Sequence, residues 1–274
     1  MADAPGGGVV KPAPFDYLAP ASVDEALGLL GLDSTVLAGG QSLLPLLNLR
    51  LARPELVLDI NGLAELDYIR DEDGRLRLGA MTRQVALERS ELVGQRWPLL
   101  HKAVRLVGHT QIRSRGTVGG SISHADPAAE LPAALIALDA RFELRSAGGS
   151  RFVAASDFFL GPLYTVREPD ELLVEIEVPA QPDGAGTGFA EHARTHGDFA
   201  TAGAAVVVAP GGHARVALLG AGPVPARAEE GERALAEGAD AREAAAAATV
   251  DVEDDHRRAL CAELVRRAIR EATA

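Results

Sequence analysis

Apolar residues along this chain switch between helical and strand spacing, and the switches lay out its elements. From Val23 an apolar-periodic run reaches Gly31 behind Ser22 and Glu25, which stand at the spacing of a capping box, so a short helix is expected there. Thr35 to Ala38 reads as a strand that stops at Gly39 and Gly40, Leu43 to Leu49 as a helix, and Leu56 to Ile60 as a second strand. That order makes a small α/β unit. Leu66 to Arg70 and Arg75 to Gly79, joined by a turn at Asp71 to Gly74, then carry a hairpin signal. Thr82 to Arg89 and Pro98 to Val107 read as helices, followed by a second glycine-bearing loop and a helix over Ala128 to Leu138. Strands at Arg141 to Ser146 and Leu172 to Val178, with a turn at Ala147 to Ser150, complete a second α/β subdomain.

Pro179 to Gly188, rich in proline and glycine, reads as a linker. Beyond it Gly188 to Arg194, Ala200 to Val208 and Ala214 to Leu219 suggest three antiparallel strands, and helices over Ala241 to Ala248 and roughly Asp254 to Glu271 close the chain. The expected organisation is α+β. A disordered tail over 1–12 precedes a first unit over 13–179, itself two α/β subdomains over about 13–64 and 65–179. A C-terminal domain over 180–274 follows, a three-stranded antiparallel sheet with helices.

Composition narrows the function. At 274 residues and 47% hydrophobic the chain can bury more than one core. A net charge of −12 offers no basic field for nucleic acid. No apolar run approaches the ~20 residues of a membrane span, and the N-terminus lacks a charged start followed by an apolar core, so a cytoplasmic protein is expected. Cys261 is the only cysteine, too few thiolates for an iron-sulfur cluster and none to spare for an internal disulfide.

The candidate chemistry lies in two stretches: Ala38, Gly39, Gly40, Gln41 and Ser42, and Thr117, Val118, Gly119, Gly120 and Ser121. Each pairs adjacent glycines with hydroxyl side chains. Glycine permits positive φ and close approach of a ligand to the main chain, so each stretch could aim N–H groups at an anion, the first also from a helix start. Ordinary turns use the same residues. Two such loops on different subdomains suit the two phosphates of a dinucleotide held in the cleft between them.

Other motifs are weaker. Gly220 and Gly222 follow an apparent strand, but Pro225 stands where a third glycine of a dinucleotide fingerprint belongs, which favours a strand-ending turn. His192 and His196 are four apart in a segment that alternates like a strand and offers no third metal ligand, and His124 with Asp126 is a similar weak pair, so no metal site is expected. Asp126 before Pro127 has the form of a helix start.

The runs LAGGQSLLPLLNLRLARPELVLDI and IRSRGTVGGSISHADPAAELP resemble the flavin subunit of molybdenum hydroxylases, in particular the medium subunits of aerobic carbon monoxide dehydrogenases and their relatives. FFLGPLYTVREPDELLVEIEVP and GFAEHARTHGDFA extend the resemblance more weakly, to about residue 222. It implies an oxidoreductase with the fold of the para-cresol methylhydroxylase (PCMH)-type FAD-binding domains. FAD would be held by Ala38, Gly39, Gly40, Gln41 and Ser42 on one side and by Thr117, Val118, Gly119, Gly120 and Ser121 on the other. Asp126 would lie toward the ribityl chain or ring, and His192 to Asp198 would reach the flavin's edge. Some relatives place a lysine in the region of residues 188–194; here Arg194 is the only local cation. The implied role is electron transfer, from an iron-sulfur subunit fed by a molybdopterin subunit, through FAD, to an acceptor such as a quinone, NAD or oxygen. A stand-alone flavoenzyme would carry the same loops, and a flavin-free structural subunit is the third alternative.

Overall fold

Three larger sheets of different character and a two-stranded ribbon, Phe159–Gly161 with Tyr164–Thr165, carry the chain in a computed structural model that describes residues 11–274. Apart from Lys11 and Pro12, the tail expected over 1–12 lies outside the described residues.

The first sheet is parallel, with Leu56–Asp59 between Asp16–Leu18 and Ser34–Leu37. Parallel neighbours need crossovers; helices Val23–Leu29 and Leu43–Asn48 supply them. Ser22 accepts the Glu25 N–H at 3.1 Å and so caps the first helix as its sequence predicts. The edge strand Asp16–Leu18 escaped the sequence reading because all three of its residues are exposed, which leaves no alternation to read. Val23, Ala26, Leu27, Ile60, Leu63 and Leu66 form a small core here.

The second sheet is antiparallel, with Ile69–Glu72, Arg75–Gly79, Leu172–Val178, Arg141–Ser146 and Gly149–Ala154 side by side in that order. Its strand period is plain. Leu76, Leu78, Phe142, Leu144 and Ile176 face the main core around Trp97, while Arg75, Arg77, Arg141, Glu175 and Glu177 pair on the opposite face. Gly149–Ala154 carries no strand pattern in sequence because only Val153 in it is buried.

The third sheet runs Gly186–His192, Ala202–Val208, Ala214–Leu219 and a two-residue strand, Ala226–Arg227, that joins the three expected ones. Both faces are covered: Ala205, Val207, Ala217 and Leu219 enter the main core with Leu131 and Leu135, whereas Ala202, Ala204, Val206, Val216 and Leu218 share a second core with residues of the closing helix Asp255–Ala272 and the helices before it. The core therefore runs without a break across the expected linker. The strand expected from Gly188 starts at Gly186, read as linker; a Cβ on Gly186 or Gly188 would run into the carbonyl of Ala272 or Ala268, so the two glycines let the helix lie flush on the sheet. No helix among the described residues is long and apolar enough to cross a membrane.

Candidate functional site

Ser34–Leu37 ends at the first glycine pair, where Gly40 takes φ +74°, and helix Leu43–Asn48 begins just beyond. That left-handed turn is the reason for a glycine at this position. Gly39 serves a different purpose. A Cβ on it would lie 2.5 Å from the carbonyl oxygen of Arg115 and 2.8 Å from Cα of Gly116, so the two glycine segments touch backbone to backbone. Ala38 faces Gly120 across the same contact, its Cβ 3.7 Å from where a Gly120 Cβ would stand.

Among the described residues, the N–H groups of Gly39, Gly40, Gln41 and Ser42 have no hydrogen-bond partner, and the Ser42 hydroxyl does not cap the helix it precedes. The Gln41 side chain folds back to donate to the Gly39 carbonyl at 3.0 Å. Successive free amides around a left-handed turn form a concavity suited to an anion.

The second segment is built otherwise. Thr117 is the N-cap of helix Val118–His124, so residues expected in a loop form the first turn of a helix. Its amides are spent: Val118 donates to Thr82 O and Gly119 to Ala80 O, both at 2.9 Å, Ser121 to Thr117 O at 3.1 Å, and Gly120 to Thr117 Oγ1 at 3.1 Å. A run of consecutive free amides therefore occurs only on the first segment. Neither glycine of the second needs positive φ. Both are there for space, since a Cβ on Gly119 would lie 2.6 Å from Ala80 Cβ and one on Gly120 would lie 2.7 Å from Thr117 Oγ1.

Charge gathers at the junction. The Arg83 guanidinium donates to Asn61 Oδ1 at 2.7 Å and to the Arg115 carbonyl, and neither Arg83 nor Arg115 is ion-paired among the described residues. Asp59 stands close by. Burial opposes its ionisation, but hydrogen bonds from Tyr17 and Asn61 and the charge of Arg115 hold its carboxyl below the ordinary range.

Asp126 lies beyond the far end of helix Val118–His124, whose seven residues span about 10 Å at 1.5 Å per residue. Its side chain accepts the Ala128 N–H at 2.8 Å, an Asx turn that tightens the approach to helix Glu130–Ala137 without capping it. Two acidic groups that gave no sequence signal surround it. Glu130 is buried, which pushes its pKa up to about 8, with the negative charges of Glu191 and Asp126 adding to the effect. Burial likewise raises Glu191 to about 7, and its Oε2 has no partner. His124 is pushed below its ordinary value by burial, against the pull of Asp126.

From the C-terminal sheet, the loop after Gly186–His192 reaches back toward the second segment. Gly197, at φ +81°, packs on the ring of His109, which meets His196 edge to face with ring centres 5.9 Å apart. His192 ends its strand, and Arg194 is exposed apart from an ion pair with Asp198 at 3.6 Å. Gly220, at φ +64°, donates to Pro127 O at 2.8 Å in a turn between strands, the strand-ending turn that Pro225 suggested. Cys261 is buried in the closing helix. No group of three or more potential metal ligands occurs among the described residues.

Residues 13–181 match the family of FAD binding domains in molybdopterin dehydrogenases. The chain belongs to this family. As a member of it, the chain is an FAD-binding oxidoreductase subunit, the assignment the sequence resemblance implied. It is 42% identical to the carbon monoxide dehydrogenase medium chain of Hydrogenophaga pseudoflava, with 96% of this chain and 98% of that one covered. Identity to the 6-hydroxypseudooxynicotine dehydrogenase complex subunit alpha of Paenarthrobacter nicotinovorans is 43%, over 82% of this chain and 79% of the relative. Among solved structures, the carbon monoxide dehydrogenase from H. pseudoflava lacking the Mo-pyranopterin moiety of its cofactor superposes with a TM-score of 0.91 at 43% identity, covering 96% of this chain and 98% of that one.

The free amides, the packed glycines and two unpaired guanidinium groups fit a pyrophosphate. Asn61 and Arg83 carry much of the junction of the two glycine segments and were missed from sequence, because each makes its contacts across distant elements.

Proposed function

We propose that this chain is the electron-transfer subunit of a molybdenum-containing hydroxylase. It would hold FAD across residues 38–42 and 117–121, receive electrons from an iron-sulfur partner and pass them to an external acceptor. The observation that carries the reading is the abutment of the two segments at Gly39, with four free amides on one side and two unpaired arginines beside them. The amides of Gly39 to Ser42 would hold phosphate oxygens. Arg83 and Arg115 would offset their charge locally, in a chain whose net charge is −12. Ser42 and Ser121 would add hydroxyl donors, and Asp126, at the other end of the helix that starts at Thr117, would lie toward the ribityl end. Bound FAD supplies the chemistry of accepting electrons singly and releasing them in pairs.

Cys261 as the sole, buried cysteine supports the need for a partner, because cluster ligation needs several thiolates. Relatives named for carbon monoxide and for 6-hydroxypseudooxynicotine share this chain's sequence to a similar degree, which supports a substrate site on another subunit. The same reading keeps the complex in the cytoplasm, which cell fractionation checks.

The purified chain should show a flavin absorption band that acid precipitation releases into the supernatant. Alone it should oxidise no aldehyde, heterocycle or carbon monoxide, and adding iron-sulfur and molybdenum subunits should restore turnover. A colourless protein that takes up no FAD would overturn the cofactor reading. Turnover of an organic substrate by the isolated chain would make it a stand-alone flavoenzyme.

A further inference from the structure

We propose that Asn61 and Arg83 form a clasp that sets the separation of the two glycine segments and thereby favours a dinucleotide over a mononucleotide flavin. This rests on the FAD reading above and assigns it two positioning residues outside both segments.

The clasp is a continuous path of hydrogen bonds. Asn61 Nδ2 donates to the carbonyl of Ala38 at 2.8 Å, immediately before the free amides of the first segment. Asn61 Oδ1 accepts from Arg83 Nη2 at 2.7 Å, and Arg83 Nη1 donates to the carbonyl of Arg115, immediately before Gly116 and the second segment. The path ends on the carbonyl that closes against Gly39, so clasp and backbone contact fix the same gap from two sides.

The Asn61 amide has little freedom to turn. Asp59 Oδ1 accepts its Nδ2 at 2.6 Å and its backbone N–H at 2.9 Å, while Asp59 Oδ2 accepts the Tyr17 hydroxyl at 2.5 Å. With a carboxylate and a carbonyl at one end and a guanidinium at the other, only one orientation of the amide satisfies every neighbour. The helix Gln84–Arg89 begins directly after Arg83, and Gln84 N–H donates to Gly116 O at 2.9 Å, which holds the backbone carrying the guanidinium against the second segment.

The gap matters to a ligand that touches both sides. FAD carries two phosphates and would engage both segments, so a change in their spacing costs it contacts on one side or the other. FMN carries one phosphate and can settle on the free amides of the first segment alone. A group that only stabilised the fold would weaken both ligands together, and a group that acted only through charge would be replaced by lysine.

The test titrates apoprotein of the full chain with FAD and with FMN by flavin fluorescence, for wild type, Asn61→Ala and Arg83→Lys, with thermal melts alongside. Asn61→Ala breaks the path while leaving every charge in place. Arg83→Lys keeps the charge but cannot reach Asn61 and Arg115 at once. Both variants should bind FAD about tenfold or more weakly, the size of one lost hydrogen bond to a charged group, with FMN binding shifted less than about twofold on that scale. Unchanged FAD affinity in Asn61→Ala would overturn the clasp, as would equal weakening of both flavins or full rescue by lysine. A wild-type chain that binds neither flavin would instead overturn the cofactor reading on which the clasp stands.

Discussion

The two glycine segments look alike in sequence and are built for opposite purposes. Residues 38–42 form a turn with Gly40 at φ +74° and amides left open, whereas residues 117–121 form the capped start of a helix whose amides from Val118 to Ser121 are engaged. One is a donor surface and the other a packing surface. Glycine serves both because it lacks a Cβ, which frees the backbone in the first case and makes room for a neighbour in the second. A shared motif therefore does not imply a shared contribution to binding, and the two can be separated by asking whether a substitution costs flavin, stability or both.

The largest separation should come from Gly119→Val. The new side chain would drive into Ala80, whose Cβ and carbonyl oxygen lie 2.6 and 2.7 Å from the added carbon, and overpacking of this kind costs about 1–3 kcal/mol or more. Thermal unfolding should shift downward and bound flavin fall with it, while Gly222→Val, with nothing within 4 Å, should change neither. Flavin lost at an unchanged melting temperature would break the comparison, because the second segment would then act as the first does. Gly40→Ala comes next, at about 1–2 kcal/mol for placing a Cβ in the left-handed region. Here flavin affinity should fall further than stability accounts for, since the open amides are re-aimed.

The surroundings of the segments should also respond oppositely to pH. Glu130, after the second segment, has a pKa of about 8 against an ordinary 4.5, so between those values the native chain holds a proton that the unfolded chain has released. Stability from this group is therefore full in acid and falls as pH rises through that window, by at most about 1.4 kcal/mol per unit. Glu130→Gln should flatten the fall in denaturation midpoints measured from pH 5 to 8. Asp59, beside the first segment, is shifted below its ordinary value, so its contribution is full at neutral pH and lost in acid; Asp59→Asn should remove that acid limb.

The smallest effects distinguish the two hydroxyls. Thr117→Val removes a helix cap worth about 1 kcal/mol and should register mainly in the melt. Ser42→Ala should move stability by less than about 0.5 kcal/mol and register in flavin affinity instead. Equal behaviour of the pair in both assays would erase the distinction between the segments.

By itself the sequence determined what is local and periodic. Alternation placed the strands at Arg75–Gly79, Arg141–Ser146 and Leu172–Val178, the Ser22 cap placed the first helix, and the two glycine pairs pointed to the family. It missed Asp16–Leu18 and Gly149–Ala154, whose side chains are almost all exposed, because a strand held by backbone pairing alone leaves no hydrophobic signature. It read Gly186 as linker and began the strand at Gly188, because the need for a bare backbone under Ala268 and Ala272 exists only once the last helix has folded back on the sheet. For the same reason only the tertiary structure decided which glycine segment keeps its amides free. Val118 and Gly119 spend theirs on Thr82 and Ala80, and the Arg83 that joins the segments reaches Asn61, 22 residues away, and Arg115, 32 residues away. Hydrogen-bond partners so distant along the chain are assigned by packing, and no local pattern encodes them.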